Sequence, residues 1–437
     1  MRIAWFTPLN KNSAIGKYSV AVTNSLKKYH QIDIWTIPSK EELDTSLNKI
    51  KYRSGFYKKN LLEYDLIVYN MGNNLFYHKD IYETSKIYPG VIILHDVVMH
   101  HFFTGYYFLH KKNTDLYIEQ MKNTYGSQGK IFALKLLNGT NKSLAKIDKK
   151  ILEFPLFEPA IEKAYGLITH SSFMMNKIDK VFSAPVAILN FPNNFNLGHR
   201  LEKNNRPIKK VKEKLILLSV GDINPNKRID KIIEILGKNN KIAEKVIFNI
   251  VGSHNHNKDY LSYMKKMIAK YKLENVVNFL GFINDKELQR HIQSSDVCIN
   301  LRYPSTEGFS ASLIEQMSLG KCTITTNGGS FEDLPENVTL KINIDREIND
   351  LDRILMKIIS NPDIIYLTGK AAYKYVSIQF SIKKYTKYFN LFMDQVVLSK
   401  QGTDLIDRVG FELNKIDALN EKNAINSIAH EIASITI

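Results

Sequence analysis

Short apolar runs alternate with stretches of helical periodicity along most of the 437-residue chain. That is the pattern of parallel strands joined by crossover helices. In the first half the spacing predicts strands at Arg2–Phe6, Gln31–Thr36, Leu66–Tyr69, Val91–Leu94 and Gly166–Thr169, with Ala187–Leu189 as a sixth candidate. A long helical stretch, roughly Met99 to Ala164, separates the fourth from the fifth. The polar stretch 193–213 contains Pro207 and no sustained periodicity, and predicts an interdomain linker. The alternation then restarts, with strands at Leu215–Val220, Val246–Val251, Val276–Phe279, Val297–Leu301 and Thr323–Thr326. Helices are predicted between them at Arg228–Lys238, Leu261–Lys270, Asp285–Ser294 and Ser310–Leu319.

The expected fold class is therefore α/β, with two Rossmann-like doubly wound domains, 1–192 and 214–378, facing a cleft. In such sheets ligands sit beyond the carboxyl ends of the strands. One or two aromatic-rich helices over Ile364–Leu398 follow, and the part from 379 to 399 is expected to pack back on the first domain. The tail 400–437 has amphipathic spacing but no assignable chemistry.

Composition narrows the class. With 44% hydrophobic and 24% charged residues the chain reads as globular. No window approaches the ~18 consecutive apolar residues of a membrane-spanning helix. The opening run, Met1 to Phe6 before Pro8, reads as a buried strand rather than a signal peptide. The two cysteines, Cys298 and Cys322, lie in β-like runs and read as free buried thiols in a reducing, cytoplasmic setting. The net charge is +16, and the first 200 residues hold 26 Lys and Arg against 16 Asp and Glu. The basic residues fall in short clusters such as Lys146, Lys149 and Lys150, or Lys209, Lys210 and Lys212, which suits solvated faces better than one binding patch. With no RNA-binding signature and no arginine-rich helix, nucleic acid is not an expected partner.

The chemistry concentrates in Leu301 to Glu315, where a strand gives way to a loop holding Pro304 and Gly308 and then to a helix. Small residues at Gly308, Ser310, Ala311 and Ser312 admit a ligand close to the backbone, and the helix start offers outward amides at its positive end. This is a candidate phosphate cradle, flanked by Glu307 and Glu315. Taken alone, the same residues fit a serine-capped helix with a solvated glutamate equally well. The spacing Glu307-Gly308-Phe309 to Glu315, then Gly320-Lys321-Cys322 and the loop Asn327 to Pro335, resembles the Glu-x7-Glu region of family-four retaining glycosyltransferases, which have the GT-B fold.

The resemblance implies that Glu307 contacts the donor sugar, that the amides of Phe309 to Ser312 hold a diphosphate, and that Glu315 binds the ribose hydroxyls. It also places Lys227, after Gly221, on the diphosphate. Asp222 stands where the family usually has an arginine, and the adjacent Arg228 is a candidate replacement. In the first domain, Gly16 follows the first strand in a loop that borders the donor in the family. His95, at the end of Val91–Leu94, occupies the position of a histidine that contacts the reacting sugar. His100 and His101 read as structural.

The implied activity is transfer of a sugar, with retention, from a nucleoside-diphosphate sugar to a hydroxyl of a saccharide or lipid-linked acceptor, with no metal or other cofactor. Bacterial surface-glycan assembly is the implied setting, at the inner membrane face. The aromatic-basic stretch Phe102 to Lys112 is a candidate lipid-facing surface, and packed core is its plainer reading. A non-catalytic GT-B subunit and a sugar-nucleotide epimerase are the alternatives.

Overall fold

The computed structural model describes residues 1–53, 60–138, 151–193, 214–253 and 257–415, together with 427 and 431. The expected linker, apart from Asn193, both lysine clusters named above and most of the tail lie outside the described residues.

The first sheet has seven parallel strands in the order β3-β2-β1-β4-β5-β6-β7. These are β1 (Arg2–Phe6), β2 (Gln31–Thr36), β3 (Asn48–Lys51), β4 (Leu66–Met71), β5 (Val91–Leu94), β6 (Gly166–Thr169) and β7 (Val186–Ile188). The second sheet is also parallel, with β8 (Leu215–Val220), β9 (Val246–Val251), β10 (Val277–Gly281), β11 (Val297–Asn300), β12 (Cys322–Thr326) and β13 (Leu340–Ile342). Its order is β10-β9-β8-β11-β12-β13. Both orders reverse direction once, at β1/β4 and β8/β11, and each reversal opens a crevice at the carboxyl edge. This is the two-domain α/β architecture expected from the alternation.

Central strands such as β4 and β5 are buried along their whole length because helices cover both faces of a parallel sheet. Edge strand β3, Asn48-Lys49-Ile50-Lys51, is largely exposed and carries lysines, a composition that blunts an open edge but hides the strand from a hydrophobicity reading. The long helical stretch expected from Met99 is broken into pieces. His100–Gly105 passes into a π-turn over Tyr106–His110, and Thr114–Asn138 kinks at Gly126, whose φ is 64°. Phe102, Phe103, Tyr106 and Tyr107 point into the first domain's core, so the aromatics of Phe102 to Lys112 are packing rather than a lipid-facing surface.

The last helix, Ile382–Lys415, leaves the second domain and lies on the first helix, Ala14–Leu26, and the sheet beneath it. Tyr385, Phe389, Phe392, Met393 and Val396 bury themselves against Ile3, Trp5 and Val22. Burying each large apolar side chain is worth about 1.5–3 kcal/mol, so this contact ties the two domains firmly. Cys298 and Cys322 are buried and unpaired. Among the described residues no helix is long and apolar enough to cross a membrane.

Candidate active site

Between the carboxyl edges of the two sheets lies a cavity of about 460 Å³. The first domain contributes Asn12 to Ile15, His95, Asp96 and His170, and the second contributes Lys227, Arg302, Glu307 and Phe309 to Ser312. The cavity thus gathers the expected His95, Lys227, Glu307, Phe309, Ser310, Ala311 and Ser312.

The domains meet at Gly308. Its amide donates to the His95 carbonyl at 2.9 Å, and Asp96 pairs with Glu307 in an isolated antiparallel bridge. A Cβ on Gly308 would fall 2.5 Å from the His95 oxygen and 2.5 Å from Met174 Sδ, so only glycine admits this approach. Because its N–H is taken by His95, Gly308 shapes the cradle rather than donating to a ligand. The helix that follows, Ala311–Ser318, has no side-chain cap among the described residues, and the Ser310 and Ser312 hydroxyls pair with each other at 3.1 Å. Its first turn opens on the cavity with the positive end of the dipole behind it.

Lys227 is buried, and its Nζ donates to the Val220 carbonyl at 2.8 Å. Gly221, at φ 110°, makes room for that amine, which a Cβ would strike. Burial, reinforced by the nearby Arg302 cation, pushes the amine down to about 7. Arg302 was not singled out by the sequence reading. It follows β11 directly, is buried, donates from Nη1 to the Leu301 carbonyl at 2.9 Å, and holds Nε 3.6 Å from the Glu307 carboxylate. The Tyr303 amide donates to the Asn226 carbonyl at 2.8 Å, pinning the Arg302 loop to the Lys227 turn. The only hint in the sequence is a charged residue placed directly after an apolar strand.

Arg228 does not join them. At φ 56° its backbone is left-handed, and its guanidinium makes a two-pronged contact with buried Glu347, with Nη2 to Oε2 at 2.6 Å. It caps the start of Ile229–Lys238 and does not line the cavity, so the second cation beside Lys227 is Arg302. Gly16 also lies behind the wall. Its amide serves the Ser13 cap at 3.0 Å, and a Cβ would fall 2.6 Å from the Pro8 carbonyl. It packs the loop whose residues Asn12 to Ile15 do line the cavity. Glu315 is buried within its helix, and burial with Asp285 nearby raises its carboxyl to about 7 against the pull of Lys17. Lys17 and Asp285 themselves form a 2.7 Å ion pair from one domain to the other.

His95 stands at the back of the cavity with its imidazole held well below the usual range by burial. Its Nε2 is 3.1 Å from Asn70 Oδ1, and its Nδ1 is 3.1 Å from His170 Nε2. Asp96 accepts from the Asn73 amide at 2.8 Å, while burial, helped by Glu307, raises it to about 7. His100 is a core residue between Tyr117 and the Phe154 carbonyl. The arrangement offers two buried cations and a free helix start on one side of a cavity, and imidazole and carboxyl groups on the other. A phosphorylated ligand with a hydroxylated, uncharged portion fits that division of charge.

Residues 201–374 match the family model described as Glycosyl transferases group 1. An uncharacterized glycosyltransferase of Bacillus subtilis, YqgM, is 24% identical over 174 residues, 40% of this chain and 45% of that protein. One from Methanocaldococcus jannaschii is 26% identical over 193 residues, 43% of this chain and 47% of that one. The chain thus spans a little under half the length of these curated relatives. Among solved structures, sucrose-phosphate synthase from Thermosynechococcus elongatus superposes with a TM-score of 0.61 at 15% identity, covering 91% of this chain and 99% of that one. Anabaena HepE, solved in complex with UDP and glucose, gives 0.61 at 14% identity over 90% of this chain and 99% of its own. The fold is that of the two-domain GT-B glycosyltransferases, and the domain carrying Lys227, Arg302 and the Glu307–Glu315 segment matches the group 1 family model.

Proposed function

We propose that the chain is a retaining glycosyltransferase of the family-four type that draws its sugar from a nucleoside-diphosphate donor. The observation that carries this reading is the pair of buried cations, Lys227 and Arg302, set beside an open helix start in an interdomain cavity. Burying two cations together without a full counter-charge is unfavourable, and an incoming diphosphate relieves it. HepE, a neighbour in fold, was captured with UDP and glucose, which supports the same donor class.

In this mechanism the diphosphate lies against the amides of Phe309 to Ser312, Lys227 and Arg302. Those groups stabilise the negative charge that grows as the bond from sugar C1 to phosphate oxygen breaks. The acceptor hydroxyl attacks from the same face, and its proton passes to the departing phosphate oxygen, so configuration is kept. Glu307 orients the sugar hydroxyls and His95 faces the reacting carbon. Glu315, deeper in its helix, accepts from the ribose diol. The acceptor is a saccharide or lipid-linked saccharide held by the first domain, in bacterial surface-glycan assembly at the inner membrane face.

The test is incubation with UDP- and GDP-sugars. A transferase slowly releases nucleoside diphosphate and free sugar, an epimerase isomerises the donor, and a non-catalytic subunit does neither. Glu307→Gln and His95→Ala should each lower turnover about 100-fold. Wild-type turnover in both variants would overturn these roles.

A further inference from the structure

Behind the cavity, five groups form one hydrogen-bonded file: the Phe6 carbonyl, the Asn70 amide, His95, His170 and the Leu189 carbonyl. Asn70 Nδ2 donates to the Phe6 carbonyl at 2.9 Å, which turns its Oδ1 to His95 Nε2 at 3.1 Å. His95 Nδ1 meets His170 Nε2 at 3.1 Å, and His170 Nδ1 meets the Leu189 carbonyl at 2.8 Å. Both ends of the histidine pair therefore face oxygens that have no proton to give. The link to Leu189 needs a proton on His170 Nδ1, the link to Asn70 needs one on His95 Nε2, and the central link needs a third.

Two neutral imidazoles carry only two protons between them. With both rings neutral, one of the three links sets two lone pairs against each other. Flipping Asn70 moves that conflict to the Phe6 carbonyl without removing it. Every link is made only when the pair holds one extra proton and a net positive charge.

Around the pair, Tyr18 packs edge-on to both rings at 4.9 and 5.6 Å, and Phe191 covers His170. The Tyr18 hydroxyl pairs with that of Tyr385, Asp96 and His78 line the cavity from the first domain, and Glu307, Lys227 and Arg302 line it from the second. Burial favours the neutral pair, aided at His95 by the neighbouring His170 and His78, and both imidazoles are held below their usual range. An anionic ligand in the cavity that both domains line works against that preference, because a nearby opposite charge favours the charged form.

We propose that His95 and His170 act as one proton-binding unit, taking up a proton from solvent together with an anionic donor, and that His170 is the positioning residue that makes this possible. The bound proton completes the file, locks the His95 ring, and sets a positive charge behind the reacting end of the donor. This rests on the donor reading given above.

Calorimetric titration of UDP and of GDP into the full chain at pH 8, in two buffers of different ionisation enthalpy, counts the protons taken up. Lys227 also gains a proton when a diphosphate binds, so the informative quantity is the difference between wild type and variants that leave Lys227 in place. His170→Phe keeps the ring packing but removes both links that His170 makes, so a neutral His95 satisfies Asn70 alone, and the variant should bind with about one proton fewer than wild type. Asn70→Asp supplies a local negative charge that holds the proton before ligand arrives, and should likewise take up about one fewer. Either variant binding with the wild-type proton count overturns the proposal, even where its affinity is reduced. If wild type binds neither UDP nor GDP, the donor reading itself fails, an outcome distinct from binding with unchanged protons.

Discussion

Under the proposed donor reading Glu315 has to do two opposed things: sit inside a packed helix, and accept hydrogen bonds as a carboxylate from a bound ribose. Burial decides in favour of the proton, raising its carboxyl from 4.5 to about 7. A raised carboxyl contributes stability that is fully present below about pH 4.5 and lost as pH rises through 7. Glu315→Gln, which cannot ionise, should therefore match wild type in thermal unfolding at pH 4.5. At pH 8 it should unfold several degrees higher, a gain of ~2 kcal/mol, while binding donor more weakly. Equal melting temperatures at pH 8 would show that the carboxylate is not strained in the free protein. Lys227 runs the other way. Its amine is depressed to about 7, so the stability it contributes is present above its ordinary value of 10.5 and lost as pH falls through 7. Two groups held away from their ordinary protonation state, Lys227 in the cavity wall and Glu315 further along the helix whose first turn lines it, point to binding rather than stability as the reason for these residues.

At the scale of elements, the join between β5 and the Glu307 loop is the part with least tolerance. Gly308 brings the second domain's loop against the His95 carbonyl, and that contact orients both Glu307 and the start of Ala311–Ser318. Gly308→Ala must push the loop away from backbone on one side and Met174 on the other. It should weaken nucleoside-diphosphate binding about tenfold, since a displacement near 1 Å at such a site is costly. Isothermal titration checks this, and wild-type affinity would mean the loop has slack that the geometry denies.

The sequence made the central strands plain, because β1, β4 and β5 are buried on both faces along nearly all their length and are therefore mostly apolar. It did not reveal β3, whose lysines face solvent at an edge, nor short β13, whose lysine interrupts Leu340 and Ile342. The Glu307–Ser312 segment was legible because strand, loop and helix follow one another in the chain. Arg302, Asp96 and His170 were not, because they become site residues only when β11 lies beside β8 and the two domains close on each other. Arg228 misled for the same reason in reverse. It is next to Lys227 in sequence, yet one left-handed residue turns its side chain to Glu347.

Across the whole molecule, two sheets whose first six strands follow the same order face each other across the cleft and are held from both ends. On one side the Gly308–His95 contact, the Lys17–Asp285 ion pair and a 2.6 Å bond from the Ser172 amide to Asp333 cross the cleft. On the other, the last helix returns to the first domain, and the Asn193 amide donates to the Phe380 carbonyl at 2.7 Å near its start. The exposed Lys17–Asp285 pair adds little stability of its own. The apolar contact of the last helix is what keeps the cations of one domain opposite the histidines of the other.

That geometry is proposed to serve a nucleoside diphosphate. Titration of UDP and GDP, each alongside its parent nucleoside, into wild type, Lys227→Met and Arg302→Met tests this claim most directly. At least one diphosphate should bind wild type far more tightly than its nucleoside, and that margin should fall about 10- to 100-fold in each variant while nucleoside binding is unchanged. Absence of binding by either diphosphate, or a margin that survives both substitutions, would contradict the account.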